Sequence, residues 1–430
     1  MVIRNIRIID PANNRNEISD LFIRDKKIVS ENDYNLASSG TVSGDTEMDG
    51  TGLIAGPGLV DVHVHFRDPG QTHKETIHTG AMAAVAGGFT SVVMMANTVP
   101  PIDDAAIVRS VIDKASKEPL HIYTCATLTK QMAGKECCDY RSLLDAGAVG
   151  FTDDGKPVMD EQLLGRIFDD ISLLKVPVSL HEEDPRYITE NGVNSGEAAN
   201  ALGLSGSDRQ AEISMIERDL DIASKSGVIL NIQHISTAEG VEAVRQAKKT
   251  NPNIHAEATP HHFTLTDSAV IKHGTNAKMN PPLRKADDRE AIWEGLADGT
   301  IDIIATDHAP HSLEEKSRDF VSAPSGIIGL ETSFLLAYQT LIQKEIIDYD
   351  RLFRLMSLNP ARLYGLDAGT LSEGSVADIT IFSPEEETVY ESSRSRSSNS
   401  PFLGCRFSGK IRYTIVNGDV VYAPGLQYFS

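Results

Sequence analysis

The fold can be worked out from the stretch LIAGPGLVDVHVHFRDPG, residues 53–70. An apolar run leads directly into His63 and His65, which stand two positions apart. Because alternate residues of a strand point to the same face, both imidazoles should emerge side by side where a buried strand ends. Arg67 follows immediately. The stretch therefore predicts a buried strand that carries chemistry at its carboxyl end.

Similar apolar runs recur along the middle of the chain, and helical patterns separate them. Two examples are ETIHTGAMAAVAGG, which ends in a glycine pair, and TAEGVEAVRQAKKTNP, which stops at a proline. Eight strands that alternate with helices predict an α/β fold, a (β/α)8 TIM-like barrel. The eight runs are GLVDVHVHF, TSVVMMANT, LHIYTCATL, AVGFTDD, VPVSLHEED, VILNIQHIS, IHAEATPHH and IDIIATDHAP.

Both chain ends have a different, β-rich pattern. VIRNIRIID and ADITIFSP are typical strands, and RYTIVNGDVVYA predicts a hairpin around Asn417-Gly418. We therefore expect residues 1–54 and 371–430 to form a small β-sandwich domain, and residues 55–370 to form the barrel. The segment SSRSRSSNS, residues 392–400, is expected to be a polar loop with no means of burying itself.

Composition narrows the classes of partner. The chain has 430 residues, 40% of them hydrophobic, and a net charge of −21, so it should repel nucleic acid and anionic membranes. It shows neither a signal-peptide pattern nor an apolar run near the ~18 residues of a membrane span. None of its four cysteines has C-x-x-C spacing, which favours a reducing compartment, the cytoplasm.

Several of the predicted barrel strands end in residues that bind metals. Because all strand ends of such a barrel face one mouth, these side chains should converge there. A lone histidine after a strand is usually structural, but a converging set of imidazoles and carboxylates suits Zn²⁺ or a similar ion. The set exceeds one tetrahedral site and favours a two-metal centre bridged by a carboxylate. Its members are His63, His65, Asp153, Asp154, His181, His234 and Asp307.

The motifs DVHVHFRDPG, GFTDDG, MNPPLR and ATDHAPH together resemble the dihydroorotase family of the amidohydrolase superfamily, in its separate bacterial form. The resemblance runs from PGLVDVHVH at position 57 to NSPFLG at 399. It implies two Zn²⁺ ions, one held by His63, His65 and Asp307 and the other by His181 and His234. The strand has no lysine that could be carbamylated, so the resemblance implies that an aspartate bridges the two ions. Asp154 would be that residue, with Asp153 as the alternative.

The resemblance also implies an activity, the interconversion of (S)-dihydroorotate and N-carbamoyl-L-aspartate in pyrimidine biosynthesis. Asp307 would be the catalytic residue that transfers the proton. Ser325 departs from the family, which usually has a larger apolar residue before the following glycine. The implied substrate contacts are His65, Arg67, Asn97, Asn280, His311, Ser325 and Gly326.

Two alternatives stay open. The chain could be another cyclic amidase, such as a dihydropyrimidinase, hydantoinase or allantoinase, whose substrates lack a ring carboxylate. It could also be a structural partner of aspartate carbamoyltransferase, a role that some ligand-depleted relatives have. Every ligand position is filled here, which favours an enzyme that acts on a small molecule. Assembly into a homo-oligomer or with aspartate carbamoyltransferase is compatible with that activity.

Overall fold

The structure, a computed structural model, describes residues 1–38 and 46–425. Residues 39–45 and 426–430, which the predicted small β domain includes, lie outside the described residues. The strands are β1 (Val2–Asp10), β2 (Arg15–Arg24), β3 (Lys27–Val29), β4 (Glu47–Asp49), β5 (Ile54–Pro57), β6 (Leu59–Val64), β7 (Phe89–Met94), β8 (His121–Thr124), β9 (Pro177–Leu180), β10 (Ile229–Ile232), β11 (Ile254–Ala258), β12 (Ile303–Ile304), β13 (Ile379–Val389), β14 (Arg406–Val416) and β15 (Asp419–Tyr422).

The parallel barrel has the eight predicted positions. Strands β6–β7–β8 pair in parallel, as do β9–β10–β11–β12. Phe151 occupies the fourth position and forms parallel bridges to Ala126 on one side and Val178 on the other. His308, just beyond β12, bridges to Val64 and closes the ring.

Helices fill most of the connections between barrel strands. The helix that follows β6 begins after Thr76, whose side chain accepts a hydrogen bond from the backbone N–H of Thr79. The helices are α1 (Glu31–Ser38), α2 (Ile77–Ala86), α3 (Ala105–Ala115), α4 (Tyr140–Asp145), α5 (Glu161–Ser172), α6 (Glu197–Ala201), α7 (Gln210–Ala223), α8 (Ala238–Lys248), α9 (Pro260–Thr264), α10 (Ala269–His273), α11 (Ala286–Asp298), α12 (Leu313–Lys316), α13 (Leu330–Ala337), α14 (Tyr349–Phe353) and α15 (Asn359–Tyr364).

The two chain ends meet in one sheet, as predicted. Its order is β15-β14-β13-β5-β1-β2-β3, and β4 pairs with β1. Strand β5 joins the halves because it pairs with β1 from the amino end and with β13 from the carboxyl end. Isoleucines from both ends pack in a shared core, among them Ile8, Ile381 and Ile415. In the described part of the chain, no helix has the length and apolar character needed to cross a membrane.

Residues 392–400, hereafter the serine segment, contradict the expectation of a solvated loop. Ser395, Ser397, Asn399 and Ser400 are all buried. The Ser395 hydroxyl donates to the Glu75 carboxylate, and Ser397 Oγ donates to the Lys74 carbonyl at 2.7 Å. The prediction was wrong because it considered only apolar burial, whereas these polar side chains are buried against polar groups of the barrel loops.

Candidate metal centre

The carboxyl ends of the barrel strands bring all the predicted ligands to one place. His63 lies near the end of β6, and His65 directly follows that strand. The other ligands lie one to three residues beyond the bridge at Phe151 and the ends of β9, β10 and β12. All of them are buried. Two groups have ligand atoms within 4.8 Å of one another, and they share His63: one is His63, His65 and Asp307, the other His63, Asp154 and His234.

Hydrogen bonds on the outer side of the imidazoles fix which nitrogen carries the proton. His63 Nδ1 lies 3.1 Å from the Glu257 carboxylate, and His65 Nδ1 lies 2.9 Å from the Asn97 side-chain oxygen. Since these oxygens can only accept, both Nδ1 atoms must donate. His181 reverses the pattern, because its Nε2 faces Glu183 at 3.0 Å. Each imidazole therefore turns its other nitrogen toward the centre.

The inward nitrogens of His63 and His65 face carboxylate oxygens of Asp154 and Asp307, an arrangement that could hold a metal ion. His63 Nε2 is buried and has no hydrogen-bond partner in the described part of the chain; it lies 3.6 Å from Asp154 Oδ1 and 3.5 Å from Asp307 Oδ1. Those separations exceed a normal hydrogen bond. They match the ~3.4 Å between two ligands of a tetrahedral ion with bonds of about 2.0–2.1 Å. The donor set of imidazoles and carboxylates thus fits zinc.

Asp153 and Asp154 have different environments. Asp154 Oδ1 faces His63 and lies 3.8 Å from His181 Nδ1, while its Oδ2 lies 3.5 Å from His65 Nε2. Its carboxylate therefore stands between the two histidine pairs. Asp153 points away: its Oδ1 accepts hydrogen bonds from the backbone N–H groups of Leu128 and Thr129, and its Oδ2 accepts one from the Thr129 hydroxyl. Only Asp154 has the position of a bridging ligand.

Neighbouring charges shift the pKa values of the site residues. Burial alone would lower the pKa of His63, but the carboxylates of Asp154 and Glu257 outweigh that effect and hold the pKa well above its usual value. Burial would raise the pKa of Asp154, yet the nearby imidazole of His63 holds it far below its usual range. Burial and the charge of His181 lower the pKa of His234, which keeps that imidazole neutral, as a metal ligand must be.

A cavity of about 160 Å³ opens directly above these ligands. Most of the predicted substrate-binding residues line it, together with the ligands His65, Asp154, His181, His234 and Asp307. The predicted residues in its wall are His65, Arg67, Asn97, Asn280, Ser325 and Gly326. His311 is not in the wall, but its Nε2 donates to the Ser325 carbonyl at 2.9 Å and so supports the rim.

Arg67 places a positively charged guanidinium in the wall of this cavity. Its Nε donates to the Pro310 carbonyl at 3.3 Å, and within the described ranges it forms no ion pair with a carboxylate. Burial lowers the pKa of Arg67, and the charges of Asp307 and Asp154 offset part of that effect. Arginine stays charged in proteins, so this guanidinium can bind an anionic group that enters the cavity.

The two asparagines of the cavity differ in what they can offer a ligand. Asn97 bonds to His65 through its oxygen and to Asp154 Oδ2 through its nitrogen at 2.8 Å, so it links two ligands. Asn280 has a buried side-chain oxygen without a hydrogen-bond partner among the described residues. Asn280 is therefore available to accept a hydrogen bond, whereas Asn97 is largely engaged by the metal ligands.

Three residues of the site have a left-handed backbone. The φ angles are 56° at Arg67, 32° at His234 and 48° at Asp307. None of them is glycine, and this conformation costs such residues of order 1–3 kcal/mol each. Backbone strain is thus concentrated at the positions that turn side chains from the strand ends into the cavity.

The sequence patterns did not single out Glu257, although its carboxylate accepts a hydrogen bond from His63. It is the second-last residue of β11 and is fully buried. The available signal was a carboxylate inside an apolar strand, which is costly without a partner. Asn399 of the serine segment was also missed, and a serine-rich sequence offers no comparable signal.

Comparison with known sequences links the chain to proteins that act on cyclic amides. A model of the Amidohydrolase family matches residues 54–421. The dihydroorotase of Clostridioides difficile (strain 630) is 49% identical over 422 residues, 98% of this chain and 99% of that one. The dihydroorotase of Lactococcus lactis subsp. lactis (strain IL1403) is 45% identical over 423 residues, again 98% and 99% of the two chains.

Solved structures show a similar architecture. The L-hydantoinase (dihydropyrimidinase) from Arthrobacter aurescens superposes with a TM-score of 0.87 at 25% identity, covering 100% of this chain and 97% of that one. The dihydropyrimidinase from Brevibacillus agri NCHU1002 gives a TM-score of 0.83 at 20% identity, covering 98% and 95%. The second likeness concerns the fold alone.

Proposed function

The chain belongs to the dihydroorotase family of amidohydrolases, and we propose that it interconverts (S)-dihydroorotate and N-carbamoyl-L-aspartate, the third step of pyrimidine biosynthesis. It is a hydrolase that acts on the C–N bond of a cyclic amide. The observation that carries the proposed substrate is Arg67, a guanidinium that faces the cavity without a carboxylate partner among the described residues. Dihydroorotate has one carboxylate on its ring, and a planar guanidinium can bind it through two N–H groups.

The remaining polar groups of the cavity suit the ring of this substrate. The Asn280 side-chain oxygen, which has no hydrogen-bond partner among the described residues, would accept a hydrogen bond from a ring N–H. His65, Asn97, His311 and the backbone at Ser325 and Gly326 complete the proposed contacts. Burial and the charge of Arg67 lower the pKa of His311, so its imidazole is neutral and adds no second cation beside Arg67.

The family depends on metal ions, and the site has a His/Asp group that can hold them. We propose two Zn²⁺ ions, one held by His63, His65 and Asp307 and one by His181 and His234. Asp154 would join the two. When bound, the ions supply Lewis-acid polarisation of the carbonyl group and lower the pKa of an attacking water molecule toward ~7.

Asp307 is the proposed catalytic base and acid. Its carboxylate lines the cavity, and Oδ1 lies 2.9 Å from His65 Nε2. In the hydrolytic direction Asp307 takes a proton from the attacking water and delivers it to the ring nitrogen that leaves. The amide C–N bond breaks, and the carbonyl carbon becomes the carboxylate of the product. Ring closure follows the same steps in reverse.

The main alternative is a different cyclic amidase, because the structural neighbour from Arthrobacter aurescens is a hydantoinase. Dihydrouracil, hydantoin and allantoin have no ring carboxylate, so they would leave the Arg67 charge without a partner. The experiment that decides is a comparison of kcat/KM for dihydroorotate and these three compounds with zinc-loaded protein. A clear preference for dihydroorotate supports the proposal, and a preference for any of the others would replace it.

We also propose the setting in which this activity operates. The four cysteines are all free, which suits the reducing cytoplasm. Residues 55–370 would be the catalytic barrel, with residues 1–54 and 371–430 as the small domain beside it. Light scattering of the purified chain, alone and mixed with aspartate carbamoyltransferase, would decide between a single chain, a homo-oligomer and a complex of the two enzymes.

A further inference from the structure

Asn399 of the serine segment connects two loops at the mouth of the barrel. Its Oδ1 accepts a hydrogen bond from the His311 backbone N–H at 3.1 Å. Its Nδ2 donates to the Ala309 carbonyl at 3.0 Å and to the Gly326 carbonyl at 3.2 Å. The side chain is 4% exposed, so all three bonds are shielded from water. One buried amide thus holds two loops that flank α12, and it lies 88 positions from His311 and 73 positions from Gly326.

Those two loops form one side of the substrate cavity. Ala309 and Gly326 both line it. They approach so closely that a Cβ atom at Gly326 would lie 2.6 Å from the Cβ of Ala309, and the φ of Gly326 is +108°. Lys316 Nζ also donates to the Gly326 carbonyl, at 3.0 Å. The Gly326 carbonyl therefore accepts hydrogen bonds from both Asn399 and Lys316.

We propose that Asn399 is a positioning residue for the reaction: it sets the spacing between residues 309–311 and residues 325–326, and so places His311 and the Gly326 backbone around the substrate. This inference rests on the proposed function. Asn399 is not in the cavity wall, and it acts through the two loops rather than through contact with the substrate. The serine segment, close to the carboxyl end of the chain, would thereby be part of the substrate-binding apparatus.

The expected consequence is a change in binding rather than in chemistry. Replacing Asn399 leaves the His311 N–H without its acceptor and the Ala309 carbonyl without its donor, both in a buried place. The loops should then separate or rotate, while the metal ligands keep their own hydrogen bonds. A residue that supports only substrate contacts affects ground state and transition state alike, which raises KM with little effect on kcat.

Ser397→Ala is the matched control for Asn399→Ala. Ser397 belongs to the same segment, is also buried, and donates to the Lys74 carbonyl instead of to the loops at the cavity. Each variant loses buried hydrogen bonds, so both should lower the unfolding temperature. Steady-state kinetics with dihydroorotate should separate them. We expect KM to rise about tenfold or more for Asn399→Ala with kcat changed less than about threefold, and KM to stay within about twofold for Ser397→Ala.

Hydrogen exchange of the zinc-loaded protein without substrate gives a second readout. The amide of His311 should exchange faster in Asn399→Ala and at the parent rate in Ser397→Ala. Equal KM values for parent and Asn399→Ala, or equal increases in both variants, would overturn the proposal. If Asn399→Ala does not fold, Asn399→Asp can replace it, because aspartate keeps the acceptor for the His311 N–H and loses both donated bonds. An unchanged KM in Asn399→Asp would also overturn the proposal. Failure of the parent to turn over dihydroorotate would instead overturn the proposed function, and the exchange of His311 would still test the positioning role.

Discussion

The Glu257 carboxylate lies 3.1 Å from His63 Nδ1, on the side of the imidazole that faces away from the other ligands. Both side chains are completely buried. Asn231 Nδ2 donates to the other oxygen of Glu257 and also to Ser179 Oγ at 3.1 Å. A chain of hydrogen bonds inside the barrel thus holds Glu257 in place. Its charge keeps the proton on Nδ1 and leaves Nε2 free for a metal ion.

Glu257→Gln should therefore weaken metal binding while the fold is retained. Glutamine keeps the shape of the side chain but lacks the negative charge that makes His63 a stronger ligand. Loss of such a partner typically lowers metal affinity by about 10–100-fold. Titration with a chelator followed by elemental analysis measures the change. Glu331→Gln is the control, since Glu331 is also buried but bonds to Ser393 and Arg394 and is in neither ligand group. Equal chelator sensitivity in the two variants would show that Glu257 does not tune the site.

The protein purified without chelator should contain about two zinc ions per chain, because the convergent ligands exceed one tetrahedral site. Removal of the metal should abolish hydrolysis, and added zinc should restore it. Elemental analysis beside an activity assay tests both statements. A reproducible content near zero with full activity would contradict the two-metal centre, and a content near one would leave Asp154 without a bridging role.

Asp154→Asn and Asp153→Asn should differ in their effects on metal content and on stability. Asp154→Asn should lose metal and activity together, since its carboxylate stands between the histidine pairs. Asp153→Asn should keep the metal and unfold more easily, by about 1–3 kcal/mol, because the Thr129 hydroxyl loses its carboxylate acceptor while the amide oxygen can still accept from the Leu128 and Thr129 backbone. Metal analysis and thermal unfolding of the two variants make the comparison. Loss of metal in Asp153→Asn, with the metal retained in Asp154→Asn, would mean that Asp153 is the bridge.

Glu331 should make stability depend on pH near neutrality. Burial raises the pKa of Glu331 from 4.5 to about 7. Between those values the folded chain holds a proton that the unfolded chain releases, so this contribution to stability is lost as the pH rises through that window. Glu331→Gln should remove this contribution to the pH dependence of stability. The check is the difference in unfolding temperature between pH 5 and pH 8, which should be smaller in the variant; an identical difference would contradict the raised pKa.

The barrel was predictable because each strand is a short apolar run that ends in polar residues. The fourth run, AVGFTDD, becomes a single bridged position at Phe151 rather than a full strand. Next to it, a Cβ at Gly150 would lie 3.1 Å from the Pro177 carbonyl, so the backbones meet closely there. Such a close approach depends on the assembled barrel, and no local pattern in the run reports it.

The clustering of the candidate metal ligands was predictable for a similar local reason, since each lies at or just beyond the end of a recognisable apolar run. The residues that support them were not. Glu257 and His63 are 194 positions apart, and Asn399 is 88 positions from His311. Asn97 was predicted to bind the substrate, yet the structure engages its amide with His65 and Asp154. Which partner a buried polar group finds is set by three-dimensional contacts that residue spacing does not encode.

Arg67 is the residue by which the cavity would recognise the carboxylate of dihydroorotate. A buried charge pair that loses one partner costs about 3–5 kcal/mol, and about 1.4 kcal/mol corresponds to a tenfold change in rate. Arg67→Met should therefore lower kcat/KM for dihydroorotate by at least about a hundredfold. Zinc content should be unchanged, since Arg67 is not among the ligand groups.

The most direct measurement is kcat/KM for dihydroorotate and for the acid-free analogue dihydrouracil, in the zinc-loaded parent and in Arg67→Met. We predict that the parent strongly prefers dihydroorotate, and that the substitution removes this preference with little effect on the already slow hydrolysis of dihydrouracil. A variant that hydrolyses dihydroorotate as well as the parent would show that the carboxylate is bound elsewhere. A parent that prefers dihydrouracil would contradict the proposed substrate itself.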